Sequence, residues 1–250
     1  MNRSTARRTG VLVVLACLSL VRPANAQSSS PKRWRTQLEF GLNGASGNSS
    51  FTVLRTGITV KRIETKVYEL ETSGLLRRGS NDSKTIADDG RLTLKFNYRP
   101  EATFAPFLYG LWAYDHIRKL AQKINGGAGA RYTFLRKDKD KSQASLSWGA
   151  IWDFEKYTDD QASRRLVRWN GRLSVDHDFG DGAAFEHTLT YQPQADQVGD
   201  YLIDATTSVT SKLLSNVSLA VNHEYLHDSV PPEGVRPDDQ KFSVVLRVSL

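Results

Sequence analysis

Cysteine, methionine and long hydrophobic runs are almost absent from this 250-residue sequence. Its one cysteine is Cys17 and its one methionine is Met1, so residues 27–250 contain neither. Without cysteine, disulfides cannot stabilise an exported domain, and its stability must come from buried surface or from closure of a sheet. No run of about twenty apolar residues follows residue 26, which excludes transmembrane helices.

A strong excess of one charge is also missing from most of the chain. The whole sequence has a formal net charge of +7, but four of its arginines lie within residues 1–26. Without those four, residues 27–250 hold 30 basic against 27 acidic residues, a net charge of +3. The basic character is therefore largely that of the N-terminal segment, and nucleic-acid binding is not predicted.

The N-terminal segment has the pattern of a secretory signal peptide. Three arginines precede the apolar run Val11–Val21, and Ala24-Asn-Ala26 supplies the small residues of a cleavage site. We predict a signal peptide at residues 1–26, cleaved after Ala26, and a single domain at 27–250. A lipoprotein signal with Cys17 as the lipid acceptor is the alternative, although further apolar residues follow this cysteine.

The last nine residues alternate between apolar and polar side chains. The apolar positions on one face are Phe242, Val244, Leu246, Val248 and Leu250. This period of two residues predicts a β-strand with one apolar face. An unpaired strand of this kind is an aggregation risk, which pairing with the first strand would remove by closing a barrel. A terminal edge strand in a soluble sandwich is the alternative.

The same alternation recurs along residues 27–250 and predicts twelve strands, with ten as the alternative count. The predicted strands are Trp34–Leu42, Leu54–Lys61, Tyr68–Arg77, Arg91–Arg99, Phe104–Tyr114, Gly127–Phe134, Ala144–Phe154, Val167–Val175, Phe185–Tyr191, Tyr201–Thr210, Val217–Tyr225 and Phe242–Leu250. Phe104–Tyr114 is apolar on both faces, so its register stays open. Residues 79–87 are expected to form a polar loop.

Three features favour an antiparallel outer-membrane barrel over a lipocalin-like barrel or a sandwich. Connections run to about eight to sixteen residues after odd strands and about four to nine after even ones, as with long external loops and short periplasmic turns. Most strands have about nine to eleven residues, the length of a tilted span. Aromatic residues near strand ends would form an interfacial girdle. They are Trp34, Tyr98, Phe134, Phe154, Phe179, Tyr191, Tyr225 and Phe242.

If the apolar face meets lipid, the charged face lines the lumen. The candidate lumen residues are Arg35, Arg55, Arg91, Lys95, Arg131, Arg168, Arg172, Arg247, Glu69, Glu71, Asp204 and Glu224. Guanidinium groups bind carboxylates bidentately, so one hypothesis is a narrow channel for small anionic solutes or acidic oligosaccharides. The other is an ion-paired, plugged barrel that supports the integrity of the envelope.

The two hypotheses differ in where the charges find partners. Glu69 and Glu71 lie on the strand beside Arg91 and Lys95, so we expect ion pairs there, as in a plugged interior. The strands of Arg168, Arg172 and Arg247 carry fewer inward acidic residues. We therefore expect an open path, if one exists, along these three arginines.

The sequence offers little support for an enzyme. A barrel lipase or deacylase needs Ser and His within hydrogen-bond reach, and only His227-Asp-Ser229 has the His-x-Ser pattern. Asp176-His-Asp178 has the residue types of an omptin-like protease, but the predicted topology puts it at the periplasmic end. Gly126-Gly-Ala-Gly129 lies within a strand rather than before a helix, unlike a dinucleotide site. We predict no catalytic residue and no cofactor.

Carboxylates are frequent in the predicted external loops. They are Asp82, Asp88, Asp89, Asp115, Asp159, Asp160, Asp196, Asp238 and Asp239. Such oxygen ligands would share divalent cations with lipopolysaccharide, and simple solvated loop charge is the alternative. We expect a monomer in contact with outer-membrane lipid and lipopolysaccharide.

The opening strand with Trp34, the hairpin Phe40–Asn48 and the terminal strand Phe242–Leu250 are similar to those of a known family. With the signal peptide, they resemble the YdiY-like family of salt-induced outer-membrane proteins. The resemblance implies an outer-membrane barrel without a well-defined biochemical activity, expressed under osmotic or salt stress. Such barrels usually end in an aromatic residue, so Leu250 implies weaker recognition of the last strand by the barrel-insertion machinery.

Overall fold

Twelve antiparallel strands form a closed barrel in the computed structural model, which describes residues 34–45, 51–64, 67–81, 84–137, 142–158 and 162–250. The strands are β1 (Trp34–Ala45), β2 (Phe51–Glu64), β3 (Tyr68–Asn81), β4 (Lys84–Tyr98), β5 (Phe104–Asp115), β6 (Leu120–Lys137), β7 (Ser142–Tyr157), β8 (Arg164–Gly180), β9 (Ala183–Pro193), β10 (Tyr201–Lys212), β11 (Val217–Asp228) and β12 (Asp238–Ser249). None of the described residues forms a helix that is long and apolar enough to cross a membrane. The prediction of twelve antiparallel strands is confirmed. The predicted signal peptide lies outside the described residues.

The barrel closes between its first and last strands. Leu38 pairs with Val248 and Phe40 pairs with Leu246, and the backbone N–H of Leu250 donates a 2.8 Å hydrogen bond to the carbonyl oxygen of Thr36. Both free edges of the sheet are removed by this pairing. The prediction that the last strand closes a barrel on the first is therefore confirmed, and the soluble sandwich is excluded.

The outer face of the barrel is apolar and the inner face is polar. On β8, Val167 and Trp169 are about half exposed, at 49% and 56%, whereas the alternating Arg168 and Asn170 are buried. On β12, Phe242 reaches 70% exposure. This is the inverse of a soluble barrel, whose apolar side chains fill the interior, and it is the pattern of a barrel surrounded by lipid.

The strands are longer than predicted and several connections are shorter. They range from 11 residues in β9 to 18 residues in β6. The expected loop at 79–87 is wrong, because β3 and β4 stay paired as far as Asn81 and Lys84. The longest connections, 194–200 and 229–237, both follow odd-numbered strands. Polar residues beyond a membrane can still pair their backbones, so the apolar alternation underestimates strand length.

The structure resolves the register of β5 and moves the start of β6. Phe104, Leu108 and Trp112 are exposed on the outer face, whereas Phe107 and Tyr109 face the interior. The strand β6 begins at Leu120 rather than at residue 127. Residues 120–126, which extend this strand at its start, place further polar side chains in the interior. The sequence analysis did not predict these.

Glycines allow β6 and β7 to approach each other closely. A Cβ atom at Gly129 would overlap the carbonyl oxygen of Trp148, and one at Gly149 would overlap the carbonyl oxygen of Ala128. The Gly129 position also lies under the ring of Phe107, whose Cζ would be 2.7 Å from such a Cβ. The glycine run predicted to lie within a strand therefore serves packing.

We expect Gly129→Ala to lower the free energy of unfolding by about 1–3 kcal/mol, because the new methyl group forces strand separation or displaces Phe107. The measurement is denaturant unfolding of the refolded protein in detergent. The control is Gly126→Ala on the same strand, where a Cβ has its nearest neighbour, the carbonyl oxygen of Tyr109, at 3.9 Å. Equal stability of the two variants would contradict this interpretation.

Candidate functional site

A polar cavity of about 380 Å³ lies inside the barrel, bordered by strands β2 to β9. Most of its lining residues belong to the strand halves nearest the turns β2–β3, β4–β5, β6–β7 and β8–β9, the end at which Trp34 and Leu250 also lie. Its charged lining consists of Lys61, Lys95, Arg131, Arg172, Glu69, Glu71, Asp176 and Glu186. Positive and negative groups are equal in number, so this cavity is not a uniformly cationic tunnel.

Ion pairs fill one side of the cavity. The Lys61 ammonium lies 3.0 Å from a Glu71 oxygen and 3.5 Å from a Glu69 oxygen, and Lys95 lies 3.7 Å from Glu71. Lys95 therefore has the acidic partner that the sequence suggested. Arg91 does not, since it forms no ion pair within 4.0 Å in the described part of the chain. Lys61, which the sequence analysis did not select, pairs with these glutamates instead of Arg91.

A buried network joins β2 and β3 to β11 across the closing strands. Arg55 donates to Glu39 at 2.6 Å and to Glu224 at 2.5 Å. Arg77 donates to the second oxygen of Glu224 at 2.9 Å and lies 2.8 Å from Asp89. All five side chains are largely buried, at 8–13% exposure. Arg55 and Glu224 are thus brought together and neutralise each other.

A second network occupies β6, β7 and β8 in the same half of the barrel, which is the half opposite the cavity. Arg168 lies 2.9 Å from Asp200 and 3.6 Å from Asp153. Lys123 lies 2.9 Å from Asp153 and 2.8 Å from Glu155. The side chain of Arg168 is 1% exposed, so the expectation that it lines an open path is wrong. Its acidic partners come from the neighbouring strand and from the β9–β10 connection.

Arg247 is also paired rather than free. Its Nε donates to Glu39 at 3.2 Å, and its other nitrogens donate to Thr210 and Ser208 on β10. Of the three arginines expected along an open path, Arg168, Arg172 and Arg247, only Arg172 therefore has no acidic partner among the described residues. This arginine donates through Nε to Thr190 at 3.2 Å and forms no ion pair in the described ranges.

Arg35 and Arg131 also lack acidic partners among the residues described. Arg35 is exposed at the start of β1, and Arg131 donates to the carbonyl oxygen of Pro100 at 2.5 Å. Arg91 borders a second cavity of about 140 Å³, together with Glu39 and Arg55. Within the described residues, a few arginines therefore lack an acidic partner. Of these, Arg91 and Arg172 lie nearest the middle of their strands.

Two carboxylates assigned to external loops lie inside the barrel. Asp89 belongs to β4 and binds Arg77, and Asp115 ends β5, where it lies 3.4 Å from Lys241. Asp88 on β4 and Asp238 and Asp239 on β12 are strand residues too, whereas Asp196 does lie in a connection. Asp82, Asp159 and Asp160 lie outside the described residues. No cluster of three or more His, Cys, Asp or Glu suited to a metal ion occurs where the chain is described.

The sequence analysis missed Lys61, Lys123, Glu155, Lys241 and Asp200 as interior charges. The first four lie at or beyond the ends of the apolar alternation, and extending the period of two residues past both ends of each predicted strand would have found them. Asp200 has no such signal, because it lies in the β9–β10 connection and folds inward to meet Arg168.

A closed barrel with an apolar exterior and a charged lumen has the fold of bacterial outer-membrane barrels. Residues 38–250 match the family described as "Protein of unknown function, DUF481", and the chain belongs to this family. No curated protein matches the chain.

Solved structures of outer-membrane barrels share this fold. One is the COG4313 outer membrane channel from Pseudomonas putida F1, with a TM-score of 0.51 and 15% identity over 92% of this chain and 98% of that one. Another is the KdgM porin, with a TM-score of 0.44 and 10% identity over 87% of this chain and 99% of that one. At 15% identity, the likeness to the first of these structures shows the fold alone.

We expect Glu224→Gln to lower the free energy of unfolding by about 3 kcal/mol, because Arg55 and Arg77 lose a shared buried counter-charge. The measurement is denaturant unfolding of the refolded barrel. The exposed turn residue Glu101 provides the control, as Glu101→Gln removes one carboxylate without opening a buried network. A Glu224→Gln barrel as stable as the control would show that the network contributes no stability.

Proposed function

We propose that this protein is a non-enzymatic outer-membrane barrel that forms a narrow channel for small anionic solutes. The observation that carries the proposal is the polar cavity of about 380 Å³ inside a wall whose outer face is apolar. An apolar outer surface of this extent is stable in lipid, and strands of 11 residues or more are long enough to cross it.

The charge distribution supports passage of anions. Most interior carboxylates are held in ion pairs, such as Glu39, Glu71 and Glu224. Arg91 and Arg172, in contrast, keep guanidinium nitrogens free of acidic partners within the described structure. Asp176 and Glu186 lie opposite each other on adjacent strands, nearer the β8–β9 turn. These two carboxylates therefore repel anions at the mouth of the cavity rather than at its centre.

We also propose where the protein is located in the cell and when it is expressed. Residues 1–26 act as a signal peptide cleaved after Ala26, and the last strand, Phe242–Leu250, is the segment read by the insertion machinery. The monomeric barrel then contacts lipid and lipopolysaccharide in the outer membrane. The YdiY-like resemblance adds a role under salt or osmotic stress. Cell fractionation after a salt increase tests this, with recovery in the inner membrane or cytosol as the contrary result.

A plugged structural barrel is the second candidate function. The buried networks around Glu224 and Arg168 favour it, because they place ion pairs across the half of the lumen opposite the main cavity. In that case the barrel supports the envelope under osmotic stress and conducts nothing.

Two hydroxyl–imidazole pairs occur in the barrel, and we propose that neither of them is catalytic. Ser142 lies 2.6 Å from His177 and Thr207 lies 2.9 Å from His187. The ring of His177 also packs edge-on against exposed Phe179. We assign these pairs to the satisfaction of polar groups on the outer wall, where an unpaired hydroxyl or ring nitrogen would be costly in lipid.

We expect anion-selective single-channel steps from the refolded protein in a planar bilayer. Arg172→Ser should reduce the anion-to-cation permeability ratio, since it removes a free guanidinium from the cavity wall. Arg165→Ser is the control, because Arg165 lies on the outer face of the same strand, over the ring of Phe154. Silence from folded protein would end the channel proposal and leave the structural barrel.

Arg168→Ser should act differently from Arg172→Ser. The substitution leaves Asp153 and Asp200 buried beside a missing guanidinium, so we expect the free energy of unfolding to fall by about 3 kcal/mol. Parallel unfolding measurements on the two variants check this. A loss of selectivity with unchanged stability in Arg168→Ser would instead place Arg168 on the path.

A further inference from the structure

Two aromatic rings from β5 form part of the cavity wall. Phe107 and Tyr109 both line it, and the Phe107 ring lies over Gly129 on β6. Gly127 and Gly149 line the same region, so the rings face space that larger side chains would fill. The Tyr109 hydroxyl makes no hydrogen bond within the described ranges. It is therefore a donor without an acceptor in that part of the chain.

The guanidinium of Arg172, on β8, lines the same cavity as this hydroxyl. Arg91, on β4, borders the neighbouring cavity of about 140 Å³ instead. Arg172 is anchored through Nε by Thr190, which leaves its two terminal nitrogens without a partner in the described structure. Both are donors suited to a carboxylate.

The carboxylate of Asp204 does not neutralise Arg172. Asp204 is joined in register to Arg172 through Thr190. It nevertheless forms no ion pair within 4.0 Å among the described residues. Lys95 adds a further positive charge, shared with Glu71 at 3.7 Å. Arg172 is therefore a guanidinium of the cavity wall that no carboxylate of the described residues pairs.

We infer that Arg172, with the Tyr109 hydroxyl, binds the carboxylate of a small organic anion in the lumen. The guanidinium group and the phenol donate to the carboxylate, and the carbon skeleton lies against the rings of Phe107 and Tyr109. The cavity volume of about 380 Å³ falls in the range of about 300–1,000 Å³ found for small-molecule sites. This inference rests on the proposed function for access to the lumen.

Calorimetric titration of the purified barrel in detergent tests the site, with glucuronate as the probe. We expect glucuronate to bind and glucose, which lacks the carboxylate, not to bind. Arg172→Gln should weaken binding about tenfold, as expected for loss of a charged hydrogen-bonding partner. Asp204→Asn should tighten it, because a competing negative charge is removed. The outer-face variant Arg165→Gln should bind like the wild type.

Several results would overturn the inference. Unchanged affinity in a folded Arg172→Gln barrel would show that this arginine holds no ligand. Equal affinity for glucuronate and inorganic sulfate would replace the carboxylate site by a general anion site. Weaker binding in Asp204→Asn would show that this carboxylate assists the ligand rather than competes with it.

The binding experiment and the conductance experiment distinguish failure of the proposed site from failure of the proposed channel. A barrel that binds glucuronate through Arg172 but is silent in a planar bilayer supports the site and ends the channel proposal. A barrel that conducts but binds no glucuronate supports the channel and overturns the site.

Discussion

Closure of the backbone hydrogen-bond ladder between β1 and β12 is the constraint on which the rest of the structure depends. In lipid, a backbone group without a partner is costly, and only a sheet without edges satisfies all of them within the wall. Pairing of Phe40 with Leu246 makes the twelve strands one continuous surface. Once the sheet is closed, the alternation of each strand decides which side chains face lipid and which face the lumen.

The closed wall also determines the electrostatics of the interior. Arginine and glutamate side chains that face inward leave bulk water, and each must find a counter-charge or remain a costly unpaired group. Around Glu224 and Arg168 this requirement is met by dense networks of ion pairs. Among the described residues, Arg91, Arg172 and Asp204 are exceptions that form no ion pair. A site for an anion lies where the barrel's own carboxylates fail to complete the pairing.

The space for such a ligand has a separate physical origin. Glycines on β6 and β7 allow the two backbones to approach closely and leave no side chains over the middle of this wall. The rings of Phe107 and Tyr109 extend over that surface from the adjacent β5. The same residues thus stabilise the wall and shape the cavity, so a change that fills the glycine positions affects both.

The amino-acid sequence by itself determined the number of strands, their two faces and the closure of the last strand on the first, because a period of two residues is a local property of each strand. It did not determine the register of β5, since both faces of that strand are apolar. Apart from the pair of Lys95 with Glu71 on adjacent strands, only the tertiary structure decided which charges meet. Arg55 and Glu224 lie 169 positions apart on strands that are not neighbours, and Asp200 reaches Arg168 from a connection rather than from a strand. Such pairs depend on barrel tilt and curvature, which alternation along a single strand does not encode.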